Sequence, residues 1–177
     1  MKSNIKAVII DWVKTIVLAV ILSFVFRTYV AEATWIPSES MMPTLKVGDH
    51  LIMDKIVYKI EGIKRGDIVI FNPPPTAQLE EKVLIKRVVG LSGETISVKN
   101  GAVLINGVPI EEPYIAEKPR DDFGPYRIPK DQVFVMGDNR NNSYDSRFWG
   151  PLPISNIIGK AEFRYYPLND IGMLNHN

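Results

Sequence analysis

From Ala7 to Phe26 the chain is apolar except for Asp11, Lys14 and a few small polar residues. Wound as a helix at about 1.5 Å per residue, such a run just spans the roughly 30 Å hydrocarbon core of a bilayer. Asp11 and Lys14 are three apart and share a helix face near one end, where the lysine snorkels to water and the aspartate pairs with it. Lys2, Lys6 and Lys14 precede the strictly apolar part, Thr15 to Phe26, and only Arg27 follows closely. The positive-inside rule then places the N-terminus in the cytoplasm and everything after Tyr29 outside. A cleavable secretory signal ending at Ala31-Glu32-Ala33 fits the same residues. The retained anchor is favoured because Tyr29 and Trp35 suit a membrane interface. Either way the rest of the chain is exported, so residues 1–30 are read as a cytoplasmic end plus a single-pass anchor in the cell membrane, and 31–177 as an extracytoplasmic domain.

The exported part folds on one core. A chain of 177 residues with 46% hydrophobic content buries one good core and a small extension, not two full domains. Its 21 basic and 20 acidic residues are evenly mixed, for a formal charge of +1, which lacks the basic excess of a nucleic-acid surface. No cysteine is present, which removes thiol nucleophiles, thiolate metal sites and disulfides together.

Short β-rich segments follow the apolar run. His50-Leu51-Ile52-Met53 comes after the Gly48-Asp49 turn, and Asp67 to Phe71 comes after Arg65-Gly66, before Asn72-Pro73-Pro74-Pro75 forbids continuation. Lys82 to Gly90 is a β-branched run carrying adjacent cations, Lys86 and Arg87. Thr95 to Val98 and Ala102 to Asn106 flank Asn100-Gly101, the turn that hairpins favour. Gln132 to Met136 and Gly159 to Tyr166 supply further strands. Residues 99–130 are expected to form a small extension, irregular over its proline-rich part from 108 to 130. With no long amphipathic helix outside the anchor, the pattern predicts a mainly β, antiparallel domain.

Three segments carry chemistry. In Pro37-Ser38-Glu39-Ser40-Met41-Met42-Pro43 the prolines restrict the backbone around Ser38 and Ser40. A held hydroxyl needs less ordering before attack, so Ser40 is read as a nucleophile, against the plain reading of a serine-rich turn. On the Lys82 to Gly90 strand, Lys86 shares its side of the pleat with Leu84 and Val88, and Arg87 faces the other way. One reading has both cations snorkelling from a sheet edge. The sharper one has Lys86 desolvated, its pKa lowered, and its neutral amine acting as a base. A guanidinium does not deprotonate in proteins, so Arg87 is no substitute. Gly137 to Gly150 is dense in hydrogen-bonding side chains. As a calcium loop it fails, because Ser143 stands at the sixth position and Trp149 at the twelfth when Asp138 is the first; a solvated surface loop remains the plain alternative. Histidine offers no base: His176 is next to last, and Asp49 points to the opposite face of the strand from His50.

Taken together, Pro37 to Leu45, Gly66-Asp67-Ile68-Val69-Ile70-Phe71, Lys86-Arg87-Val88-Val89-Gly90 and Gly137 to Gly150 resemble, in order, the motifs of the bacterial type I signal peptidases. These are membrane-anchored Ser/Lys endopeptidases that remove signal peptides from exported proteins. The resemblance implies that Ser40 is acylated, that Lys86 takes its proton, and that Ser143 holds the Lys86 amine. It assigns the oxyanion hole to the Ser38 hydroxyl and the Ser40 backbone N–H, a task suited to donors in a dry site. It pairs Asp145 with Arg147 and Asp138 with Arg87 as supports, and lines shallow substrate pockets with Ile36, Pro37, Met41, Leu45, Leu84 and Ile85. Such pockets select alanine at positions −1 and −3. One apolar run, and only about fifty residues between Lys86 and Gly137, match the short single-anchor form typical of Gram-positive bacteria. The expected partners are signal peptides of exported preproteins and the lipid bilayer, with no cofactor, no metal and no nucleic acid. Two rivals stand beside this reading: a non-catalytic peptide-binding scaffold, and a Ser/Lys protease that cuts only itself.

Overall fold

The computed structural model describes residues 5–174; Lys2 and His176 lie outside them. The apolar run forms one helix, α1 (Ile5–Tyr29), whose stretch Val8–Val25 has a mean hydropathy of 2.3 and is not buried against the rest of the protein. Among the described residues it is the one helix long and apolar enough to cross a membrane. At 25 residues it is about 37 Å long.

Among the described residues, twelve strands follow α1. They are β1 (Ala31–Trp35), β2 (His50–Asp54), β3 (Ile68–Phe71), β4 (Leu84–Gly90), β5 (Thr95–Lys99), β6 (Ala102–Ile105), β7 (Val108–Pro109), β8 (Phe123–Arg127), β9 (Gln132–Met136), β10 (Leu152–Pro153), β11 (Ile157–Tyr166) and β12 (Gly172–Met173). Two short helices, α2 (Val57–Glu61) and α3 (Ser146–Trp149), interrupt them. The larger sheet runs β1-β2-β11-β3-β4-β9-β10, with β12 beside β11. The smaller runs β7-β6-β5-β8. Every pairing is antiparallel, as the alternation and the hairpin turn require.

Burial explains why β4 ends up in the middle. β3 is buried along its whole length and β4 at every position but Leu84, the pattern of strands covered on both faces. Leu84 and Val88 join a cluster with Val69, Phe71, Val135 and Trp149. Ile85, on the other side of the pleat, joins Ile36, Met41, Leu45, Leu51 and Ile68. Lys86 and Arg87 therefore cannot both reach an edge, and the snorkelling alternative is excluded by their place in the sheet.

The hairpin of β5 and β6 turns through Asn100 and Gly101, both at positive φ, as Asn-Gly turns prefer. Residues 108–130 depart from expectation. They include β7 and β8, and Ile128 is buried with Ile96, Val103 and Phe134. Pro125 is tolerated because β8 is an edge strand. Ala31-Glu32-Ala33, weighed as the end of a cleavable signal, lie in the paired strand β1, with Ala33 opposite Ile52 and Trp35 opposite His50. His50 is spent on packing, Nδ1 lying 3.2 Å from the Tyr165 hydroxyl.

Candidate active site

The Ser40 loop closes on itself before anything else touches it. The Ile36 N–H donates to Asp49 O and the Gly48 N–H to Ile36 O, both at 2.9 Å. Ile36, Met41 and Leu45 are buried in the core and pull the loop down. Between them Glu39–Met41 makes one 3-10 turn, entered from Ser38 in an extended conformation. The first N–H groups of such a turn have no partner within it. Asn139 secures the loop from outside, its N–H donating to Ser40 O at 3.1 Å and its Nδ2 to Glu39 O at 3.2 Å.

Lys86 meets this loop from β4, where it sits opposite Val69. Its side chain is buried, and Nζ lies 2.6 Å from Ser40 Oγ. The Ser38 hydroxyl is 3.2 Å from Ser40 Oγ. Burial drives the Lys86 pKa down to about 8, against the smaller upward pull of Asp145, Asp138 and Glu81. A substantial fraction of amines with that pKa is neutral near physiological pH, which is what a general base needs.

The Gly137 to Gly150 segment packs against the pair and is not a solvated loop. Arg87 grips Asp138 through Nε and Nη2 at 2.8 and 2.7 Å, and its Nη1 donates to Gly66 O at 2.8 Å. Asp138 also accepts from Thr44 Oγ1, which ties the far side of the Ser40 loop to the segment. Asp145 is buried and fully engaged: it accepts Arg147 Nε and Nη2 at 2.8 Å, the Gly137 N–H at 3.0 Å and Ser143 Oγ at 2.8 Å. Gly137 has to be glycine, because a Cβ there would collide with Ser143 and with the Ser40 carbonyl.

One expected contact is not made. Ser143 donates to Asp145 and does not hydrogen-bond Lys86. The aspartate's four other hydrogen bonds fix its carboxylate where the Ser143 hydroxyl meets it first. Ser143 therefore reaches Lys86 through Asp145, whose charge is the strongest upward pull on the amine.

A groove of about 380 Å³ leads to Ser38 and Lys86, lined also by Thr34, Trp35, Ile36, Pro37, Ile70, Glu81, Val83, Leu84 and Ile85. The residues expected to line the pockets divide. Ile36, Pro37, Leu84 and Ile85 line the groove, whereas Met41 and Leu45 are fully buried in the core beneath it. Their place in a tight turn, not their apolar character, decides this. Among the described residues no group of three His, Asp or Glu side chains is placed to hold a metal ion.

Sequence reasoning missed three polar residues beside the site, the buried Arg140 and the half-buried Glu112 and Tyr114. Arg140 grips Glu112 with Nη1 and Nη2, each at 2.7 Å, and Tyr114 donates to Glu112 at 3.0 Å while its ring lies 4.0 Å from the Arg87 guanidinium carbon. Glu112 and Tyr114 come from the proline-rich stretch, where nothing local distinguishes a buried glutamate from an exposed one.

The chain matches the family described as "Signal peptidase, peptidase S26" over residues 9–166. It is 51% identical to a signal peptidase I of Leptolyngbya laminosa, across 94% of this chain and 84% of that one. It is 40% identical to signal peptidase I P of Bacillus subtilis subsp. natto, across 94% of each. A crystal structure of a signal peptidase I from Enterococcus faecalis V583 aligns with a TM-score of 0.48 and 30% identity, over 55% of this chain and 95% of that one. The matched span contains the serine loop, the central lysine strand and the segment that braces them, and this chain belongs to the signal peptidase family, peptidase S26.

Proposed function

We propose that this peptidase is a membrane-anchored serine endopeptidase that cuts signal peptides from exported preproteins after small residues, in the pattern Ala-x-Ala, with Ser40 and Lys86 as its dyad. The observation that carries the proposal is the 2.6 Å approach of a buried Lys86 amine, its pKa drawn down to about 8, to the Ser40 hydroxyl.

The extended substrate lies along the groove beside β1 and β4, adding a strand to their exposed backbone. Neutral Lys86 takes the Ser40 proton as Oγ attacks the carbonyl of the −1 residue. The negative oxygen of the tetrahedral intermediate accepts hydrogen bonds from the Ser38 hydroxyl and the Ser40 N–H. Protonated Lys86 then passes its proton to the departing amine, which releases the mature protein and leaves an acyl-enzyme. Water, deprotonated by the same amine, hydrolyses the ester and restores Ser40. Shallow walls at Ile36, Leu84 and Ile85 exclude larger side chains, because overpacking costs about 1–3 kcal/mol. The anchor α1 crosses the membrane with its N-terminus in the cytoplasm and holds this site near the cleavage point, which raises effective concentration. The pairing of Ala33 with Ile52 supports retention of the anchor, since cutting there would break the strand whose Thr34 and Trp35 wall the groove.

The test is incubation of detergent-solubilised wild type, Ser40→Ala and Lys86→Met with a precursor ending in Ala-x-Ala, read by intact mass. Cleavage after the last alanine by wild type alone is expected, with losses of about a thousandfold or more in each variant. Persistent cleavage by Ser40→Ala would sink the dyad.

A further inference from the structure

We propose that Glu112 is a positioning residue for the Ser40 site, acting through Arg140 from outside the segment that carries the supporting side chains. The inference rests on the dyad reading above and extends it to the smaller sheet.

The connection is continuous and short. Glu112 follows β7 by a few residues, and its side chain, 5% exposed, holds the Arg140 guanidinium in a two-pronged bond at 2.7 Å on each side. The third arm of Arg140, Nε, donates to Gly137 O at 3.0 Å, and its own carbonyl accepts Arg147 Nη2 at 2.7 Å. Gly137 is the residue whose α-carbon has no room for a methyl group against the Ser40 carbonyl and Ser143. Its N–H holds Asp145. Arg140 therefore fixes Gly137 at its carbonyl, and the same residue lies against the Ser40 carbonyl at its α-carbon and holds Asp145, the charge with the strongest pull on Lys86, through its N–H. Tyr114 joins this arrangement to the neighbouring one, since its hydroxyl donates to Glu112 and its ring covers Arg87, the partner of Asp138.

Packing alone does not require this chemistry. A smaller sheet could be held to the larger by apolar contact, and Ile96, Val103, Ile128, Phe134 and Met136 already do so. Placing a glutamate and an arginine side chain out of water carries a desolvation penalty for each ion. What the pair adds is directional: a planar fork fixes a carbonyl to within a fraction of an ångström, which a methyl group does not. Small displacements near a reacting centre lower turnover by up to about a hundredfold.

Structural and positioning roles separate in a double variant. Glu112→Gln leaves Arg140 buried and uncompensated, so the full chain in detergent loses both Tm and kcat. Adding Arg140→Met removes the stranded charge and restores Tm. If Glu112 and Arg140 position the site, kcat on the Ala-x-Ala precursor stays about tenfold to a hundredfold below wild type in the double variant while KM is unchanged, because neither residue lines the groove. Recovery of kcat together with Tm would show that the pair only holds the fold, and would overturn the inference; so would a wild-type kcat in Glu112→Gln. Should either Glu112 variant fail to fold, Tyr114→Phe keeps the ring over Arg87 and removes only the bond to Glu112. A lowered kcat with unchanged KM supports the proposal there, and a wild-type kcat overturns it. Ser40→Ala is run alongside: cleavage by that variant overturns the dyad itself, an outcome distinguishable from failure of the Glu112 role.

Discussion

Lys86 and Arg87 are neighbours on one strand, both buried and both cationic by type, yet the protein surrounds them in opposite ways. Arg87 meets a carboxylate, a carbonyl and an aromatic face, so its charge is compensated at every donor that the structure resolves. Lys86 meets a hydroxyl, and the carboxylates that favour its charge act from farther away. The fold compensates the group that cannot lose its proton and leaves under-compensated the one that can. Alternation along β4 makes this possible, by sending one side chain toward Asp138 and the other toward Ser40.

The sharpest way to break that contrast is to remove Arg87's partner. Asp138→Ala strands a buried guanidinium, and breaking such a pair costs about 3–5 kcal/mol. Urea unfolding of the detergent-solubilised chain should show a loss of that size, and a loss below about 1 kcal/mol would mean that Arg87 relaxes to water instead. Thr44 also loses its acceptor, so the Ser40 loop loosens in the same variant.

Lys86→Met tests the other half and should have the opposite sign. The folded pKa, about 8, lies below the ordinary 10.5, so between those values the unfolded chain binds more protons and wild-type stability rises with pH. Below about pH 8 the penalty is fully present, on the order of 3 kcal/mol. Methionine carries no such term. The methionine variant is therefore expected to be more stable than wild type at pH 7, with the advantage shrinking as pH rises from about 8 toward 10.5. A less stable methionine variant at pH 7 would mean that Lys86 is held by compensation after all, and the contrast with Arg87 would vanish.

How much of this was legible in the sequence follows from the range of the forces involved. Strand β9 and the Asn100-Gly101 hairpin depend on local alternation and turn chemistry, and both stand where the residues put them. The approach of Lys86 to Ser40 joins residues far apart in the chain, and no spacing rule reaches that distance; it was reached through resemblance. Met41 and Leu45 look like any apolar residue beside a candidate reactive serine, and only the turn of the loop sends them into the core. Glu112 was invisible for a related reason. Its burial depends on Arg140 arriving from another segment, and a proline-rich stretch with mixed charges has the composition of a surface.

The smallest effect distinguishes the two cations by titration. With Lys86 as the base, kcat/KM should rise about tenfold per pH unit and level off above about 8, as the neutral amine becomes the major form. Asp145 is the strongest of the charges that raise this pKa, ahead of Asp138 and Glu81. Asp145→Asn removes that pull and leaves the Arg147 guanidinium without its carboxylate, and both changes disfavour a proton on Lys86. The midpoint of the profile should move to lower pH even though the plateau drops, because Ser143 and Gly137 lose a charged acceptor at the same time. A plateau that falls with the midpoint fixed would make Asp145 a brace for the loop alone, and a midpoint that rises would mean that another base sets the profile. Arg87 offers no counterpart to this experiment, since a guanidinium does not deprotonate in proteins.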